Sequence, residues 1–199
     1  MPRSPTETIR FLTLDETARL FRAIGPHRRD RALFLIAYRH GLRASEVGLL
    51  RVEDIDLKAL RIMIHRLKGS HSGAHPLQPD EAKALKALLR GREAPSPILF
   101  PSRRGDPIAR RTLDWLMKKY GEAAELPPAK RHFHCLKHSI ATHLLEDGID
   151  VRIIQTLLSH AKLETTAYYT QVATRVLRNV TSPFDRLAAT AAEGRVSKG

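Results

Sequence analysis

Apolar residues recur at helical spacing along most of the chain. Thr13 and Glu16 have the spacing of a capping box, which predicts a helix that starts there and ends near Ile24. Gly41 and Gly148 are placed to end later helices, because glycine adopts the backbone conformation common at helix ends. Further helices are predicted over residues 28–40, 44–50, 79–90, 110–124, 135–146 and 151–159, with a short one leading to Tyr169.

Apolar and polar residues alternate in one short region. Ile62 and Ile64 predict a strand over residues 60–67, since alternate side chains of a strand share a face. The polar, glycine-rich stretch 68–73 is expected to turn the chain into a second strand at residues 74–77. The predicted fold class is therefore mainly α with a small antiparallel β-sheet.

The charge of the chain indicates a polyanionic partner. Thirty-four Lys and Arg stand against 21 Asp and Glu, which gives +13 with the ten histidines neutral. Nucleic acid and anionic membranes are the two candidates. The basic residues are spread along the chain and are not gathered on one amphipathic helix, which favours nucleic acid. Charge alone does not distinguish a DNA-acting enzyme from a DNA-binding module. A third interpretation is a basic protein that binds no polyanion.

Cysteine content and hydropathy exclude several classes of protein. A single cysteine, Cys135, excludes an internal disulfide and a cysteine-rich zinc site. No apolar run approaches the roughly 20 residues that span a bilayer. The first residues lack the apolar stretch of a signal peptide, so a cytoplasmic location is expected.

Two candidate site residues lie in the first half of the chain. Arg43 follows the helix-ending Gly41, and Glu46 lies three residues further on, where its carboxylate can hold the guanidinium. Taken alone, this pattern is also that of a surface ion pair. Lys68 lies in the predicted turn beside glycines, where it can reach a phosphate or be an ordinary solvated lysine.

The other candidates lie in the second half. His134 and Lys137 share a face at the start of a helix, whose positive end favours anions. His160 follows a predicted helix, and Tyr169 comes nine residues later. A buried histidine and a core tyrosine would explain that last pair without function. His132, His134 and His138 also suggest a zinc site, but no partnering acid or cysteine pattern supports it.

Taken in chain order, these residues resemble the tyrosine recombinase (phage integrase) family. The order is an arginine, a lysine in a β-hairpin, His-x-x-Lys, a histidine and a tyrosine, and the likeness runs from about Phe11 to Val172. Residues 41–56, 134–150 and 151–172 carry it most clearly. Within the family, the chain looks most like short fimbrial-switch DNA invertases, in its size and in residues 40–56 and 65–68. The expected organisation is an N-terminal arm (1–10), a catalytic domain (11–187) and a flexible tail (188–199).

The resemblance implies a role for each candidate. Tyr169 would be the nucleophile that forms a 3′-phosphotyrosyl link to DNA, and Lys68 the general acid for the leaving 5′ oxygen. The remaining groups would surround the phosphate without a metal ion or cofactor: Arg43 oriented by Glu46, His134, Lys137 and His160. His134 would either contact the phosphate or accept the tyrosine proton.

At two positions the sequence does not simply match the pattern of the tyrosine recombinase family. The family pattern usually has an arginine where this chain has Lys137, and lysine keeps the charge but loses the planar two-pronged grip. Lys137 is thus either a tolerated variant or the cause of a weakened enzyme. Tyr168 adjoins Tyr169 and is a rival nucleophile, although the count from His160 favours Tyr169.

The resemblance also implies partners. Double-stranded DNA is the expected substrate, bound by a tetramer on paired recombination sites, with segments near residues 175–187 docking into neighbouring protomers. Accessory DNA-bending or directionality proteins would be further partners, and a membrane would not. The alternatives are a DNA-binding regulatory protein of the same fold without strand transfer, and a relaxing enzyme similar to type IB topoisomerases.

Overall fold

The computed structural model describes residues 10–67, 72–92 and 96–158. Within these ranges the chain forms α-helices and one small sheet, so the predicted fold class is confirmed. The helices are α1 (Leu14–Ile24), α2 (Arg28–Arg39), α3 (Ala44–Val47), α4 (Pro79–Arg90), α5 (Arg110–Ala123), α6 (Cys135–Glu146) and α7 (Val151–Leu158). Short 3-10 helices at Val52–Asp54 and Pro128–Lys130 were not predicted.

The sheet has three antiparallel strands in the order β1 (Ile55–Asp56), β2 (Arg61–Ile64), β3 (Gly73–Pro76). β2 is shorter than the predicted strand, because its ladder with β3 ends where Ile64 faces Gly73. β1 was missed, since two residues are too few to show an alternating pattern.

Local signals in the sequence explain where most helices begin and end. The capping box of α1 is complete: the Glu16 amide donates to Thr13 Oγ1 at 3.2 Å, and the Thr13 amide donates to Glu16 Oε2 at 2.8 Å. α3 ends three residues earlier than predicted. The residues after α3 leave the helix, and the carbonyl of Leu50 instead accepts from the amide of Leu99 at 2.8 Å.

Two apolar clusters hold these elements together. The larger one joins α1, α2, α4, α5 and the sheet, and in it the ring of Phe34 packs edge-on against Tyr120 and Phe133. The smaller one lies between α6 and α7 and consists of Ile140, Ala141, Leu145, Ile154 and Leu158. α6 contributes to both clusters and is buried around most of its circumference. It therefore links the main core to α7.

Gly41 is required for the close approach of α7 to the end of α2. Its φ of +55° lies in the left-handed region, which side chains with a Cβ rarely adopt. A Cβ at this position would also overlap the side chain of Leu158. The glycine thus sets both the chain direction into Arg43 and the position of the end of α7.

Candidate functional site

Arg43 lies immediately before α3, and Glu46 fixes it from within the first turn. Arg43 Nη1 donates to Glu46 Oε1 at 2.8 Å, and the Arg43 amide donates to Glu46 Oε2 at 2.8 Å. The glutamate side chain is fully buried, whereas 35% of the arginine side chain is exposed. The guanidinium is therefore held along one edge and open to an incoming anion along the rest.

Arg66 shares the carboxylate of Glu46 and was not predicted as a site residue. Its Nη1 donates to Glu46 Oε2 at 2.7 Å, and the side chain has no exposed surface. Burial raises the pKa of the Glu46 carboxyl, but the hydrogen bond from the Arg43 amide and the charge of Arg66 outweigh it, so the net shift is downward. Glu46 therefore stays ionised. Arg66 continues the buried positions Ile62 and Ile64 by two residues, and that alternation was the available signal.

Lys137 lies in the first turn of α6 and completes a group of four charged residues. It is 2% exposed, and its Nζ donates to the carbonyl of Leu158 at 2.7 Å. Burial lowers the pKa of Lys137 to about 7, and the charges of Arg43 and Arg66 act in the same direction. We call Arg43, Glu46, Arg66 and Lys137 the charge cluster.

His134 lies directly before α6, next to this cluster. Burial, together with the positive charges of Lys137 and Arg43, lowers its pKa to about 4. The imidazole is therefore neutral near pH 7, with one nitrogen able to donate and the other able to accept a proton. Its ring packs edge-on against that of His138, with the centroids 4.5 Å apart.

A second buried polar group contacts β3, the second strand of the β2–β3 hairpin, and consists of His40, His75 and Glu81. His40 Nδ1 and His75 Nδ1 are 3.2 Å apart, and His40 Nε2 lies 3.0 Å from Glu81 Oε1. Burial lowers the pKa of His75 to about 4, so this imidazole is neutral. The end of α2, β3 and the start of α4 are thereby joined behind the charge cluster.

Three predicted site residues, Lys68, His160 and Tyr169, lie outside the described residues, as does the rival Tyr168. The described residues that flank positions 68–71 lie close to each other and to the charge cluster, since the Arg66 amide donates to Ser72 Oγ at 3.0 Å. The last described residue before His160 is Leu158, whose carbonyl binds Lys137.

Two further features of the described residues are the grouping of side chains that could bind a metal ion and the length and apolar character of the helices. Among residues 10–67, 72–92 and 96–158, no three His, Cys, Asp or Glu side chains are grouped so that they could hold a metal ion. No helix in the described part of the chain has the length and apolar character needed to cross a membrane.

Comparisons with known proteins give a consistent result. Residues 10–175 match the model of the phage integrase family. Tyrosine recombinase XerA from Thermococcus kodakarensis is 39% identical over 183 residues, which cover 89% of this chain and 63% of the relative. The type 1 fimbriae regulatory protein FimB from Escherichia coli K12 is 42% identical over 167 residues, covering 80% of this chain and 83% of FimB. The predicted likeness to fimbrial proteins is thus confirmed.

Solved structures show the same fold. The crystal structure of XerA recombinase superposes with a TM-score of 0.74 at 28% identity, covering 90% of this chain and 64% of that one. A post-cleavage complex of the XerH site-specific recombinase with a palindromic difH substrate gives a TM-score of 0.76 at 24% identity, over 92% of this chain and 56% of that one. The chain spans less than two thirds of the length of the XerA relatives it matches.

Proposed function

Because the chain belongs to the phage integrase family, we propose that it is a site-specific DNA recombinase that acts through a 3′-phosphotyrosyl intermediate and a Holliday junction. Integration, excision and inversion all use this chemistry. The observation that carries the proposal is the charge cluster, in which Glu46 fixes the half-exposed guanidinium of Arg43 beside Arg66 and Lys137. A surplus of fixed positive charge suits the extra negative charge that builds up on a phosphate under attack.

In the proposed reaction, the phenolic oxygen of Tyr169 forms a bond to the scissile phosphorus. The bond from phosphorus to the 5′ oxygen breaks, and Lys68 supplies the proton that the departing oxygen takes up. Neutral His134 either accepts the phenolic proton or donates to a non-bridging oxygen, and in the second case the phenolic proton passes to water. Attack by a 5′ hydroxyl reverses these steps, so rejoining needs no other energy source.

Arg43 and His160 would bind the non-bridging oxygens, with Arg43 offering two parallel N–H groups. We propose that Lys137 is a tolerated replacement for the family arginine. It retains a cationic group within the cluster, and a bound phosphodiester anion or its dianionic transition state would favour its protonated form. Lys137 can thus contribute charge near the phosphate although it lacks the planar grip.

The proposed partner is double-stranded DNA, in keeping with the net charge of +13. The proposed assembly is a tetramer on two recombination sites, in which segments near residues 175–187 dock into neighbouring protomers. Accessory DNA-bending or directionality proteins belong to the same proposal. A catalytic domain over residues 11–187 is consistent with the family match to residues 10–175.

The proposal is tested with a suicide substrate. A pool of duplexes with random sequence beside a nick is incubated with the full chain, and covalent adducts are isolated in denaturing detergent and sequenced. We expect wild type and Tyr168→Phe to form the adduct and Tyr169→Phe to form none. The two tyrosines are adjacent, so each variant controls for the other.

Other outcomes of that experiment point to the competing functions. Gel retardation of the pool without any adduct would indicate a DNA-binding regulatory protein and overturn the recombinase. An adduct lost in Tyr168→Phe and kept in Tyr169→Phe would move the nucleophile. Relaxation of supercoiled plasmid of arbitrary sequence by the monomer would indicate the topoisomerase-like enzyme.

A further inference from the structure

Arg66 lies two residues beyond the end of β2, and its guanidinium binds several partners. Besides Glu46, its Nη1 donates to the carbonyl of Gly41 at 3.3 Å, and its Nη2 donates to the carbonyls of His40 and Leu157, both at 2.8 Å. These partners belong to the α2–α3 turn and to the end of α7. One buried guanidinium therefore joins the segment that carries Arg43 to the helix that precedes His160.

The end of α7 is held by two cations. The last carbonyls of a helix have no partner within the helix, and they lie at the negative end of its dipole. Here the carbonyl of Leu157 accepts from Arg66, and that of Leu158 accepts from Lys137 at 2.7 Å. Leu158 also lies so close to Gly41 that a Cβ at position 41 would overlap its side chain. Three described residues therefore determine the position of the end of α7.

Glu46 is shared by two arginines that differ in exposure. The side chain of Arg66 has no exposed surface, whereas 35% of the Arg43 side chain is exposed. By occupying Oε2, Arg66 leaves Arg43 bound mainly through Nη1 to Oε1. The other N–H groups of the Arg43 guanidinium then remain for an anion. Without Arg66, Oε2 would keep only the Arg43 amide as a donor and could bind the Arg43 guanidinium as well, which would draw it away from a phosphate.

We infer that Arg66 is a positioning residue of the strand-transfer site: it aligns Arg43 through Glu46 and holds the end of α7 against the charge cluster. The inference rests on the proposed function. Arg66 does not touch the reacting atoms in this scheme, because its side chain has no exposed surface. Lysine cannot replace it fully, since a single ammonium cannot span Glu46 and the carbonyl of Leu157 in the manner of a planar guanidinium.

The experiment measures single-turnover adduct formation by the full chain on a trapped duplex, with two forms of the scissile phosphate. One is the ordinary diester; in the other, a methyl group replaces one non-bridging oxygen, so the phosphorus centre carries no charge. The variants are Arg66→Met and Arg66→Lys. Arg92→Met is the matched control, because Arg92 is a partly buried arginine that binds the backbone carbonyls of Ser96, Ile98 and Leu99 away from the cluster.

With the ordinary phosphate, we expect Arg66→Met to slow adduct formation by about 100-fold, the size of effect that a misplaced catalytic group produces. DNA affinity should change far less, because Arg66 is buried. With the uncharged phosphate, the deficit should shrink to about 5-fold or less, since the pentavalent transition state then carries one negative charge in place of two and depends less on Arg43. Arg66→Lys should fall between wild type and Arg66→Met, and Arg92→Met should cleave at the wild-type rate.

The remaining outcomes separate failure of the inference from failure of the proposed function. Absence of an adduct with wild type would overturn the recombinase itself. Wild-type rates in both Arg66 variants would overturn the positioning role, and so would an equal loss on both substrates, which indicates general structural damage. Should Arg66→Met fail to fold, the comparison of the two substrates with Arg66→Lys decides the question in the same way.

Discussion

The large core and α7 are held in place by different interactions. The core buries a continuous set of apolar side chains from α1 to α6 and the sheet. α7 buries only Ile154 and Leu158 fully. Its last two carbonyls are bound by the side chains of Arg66 and Lys137, so polar contacts have a larger share in holding this helix than in holding the core.

The difference indicates how this fold separates stability from function. Apolar packing in the core is insensitive to charge and to pH. The end of α7 depends on Arg66 and Lys137, which are also members of the charge cluster. A phosphate that binds the cluster therefore acts on groups that also hold α7. Changes in the cluster should alter cleavage more than unfolding, and changes in the core should do the reverse.

The largest expected effect is on cleavage, at Lys137. Lys137→Ala removes a cation of the cluster and the contact with the Leu158 carbonyl. We expect adduct formation to fall by about 100- to 1,000-fold, as when one donor to a transition-state oxyanion is lost. Lys137→Arg should preserve or raise the rate, because it restores the planar grip. Single-turnover adduct formation measures both, and wild-type cleavage by Lys137→Ala would remove this residue from the site.

The next effect is on stability and concerns the same lysine. The folded-state pKa of Lys137 is about 7, against an ordinary value of 10.5. Between these values the unfolded chain binds more protons than the folded one, so stability should rise with pH. For this one group the gain from pH 7 to pH 9 is about 2 kcal/mol. Below about pH 6 both states are protonated, and the contribution no longer changes.

Urea unfolding at pH 7, 8 and 9 measures this gain, with Lys137→Met as the comparison. The variant has no titrating group at this position, so its stability should rise less over the interval. Parallel curves for the two proteins would contradict a depressed pKa at Lys137. Cys135 limits the useful range, because burial raises its pKa to about 12 and its contribution opposes that of Lys137 above pH 9.

The sequence predicted the elements whose ends carry local signals. α4 begins at Pro79 and α6 ends at Glu146, as predicted, because a proline in the first turn and Gly148 beyond the end mark those boundaries. It did not predict Arg66. Two of its partners are backbone carbonyls 26 and 91 residues away, and a carbonyl has no residue type that a sequence could reveal. The ion pair of Arg43 and Glu46, three residues apart, could be inferred; its sharing with Arg66 required the fold.

The smallest expected effect lies in the core region, at the start of α1. Thr13→Ala removes the hydroxyl that accepts from the Glu16 amide at 3.2 Å, while Thr13→Ser keeps it. Loss of such a cap costs about 1 kcal/mol, measured as a lower free energy of unfolding in urea. The rate of adduct formation should stay at the wild-type value, because α1 contributes no residue to the charge cluster. A large loss of cleavage in Thr13→Ala at full folding would show that core and cluster are coupled, and the separation of stability from function would then fail.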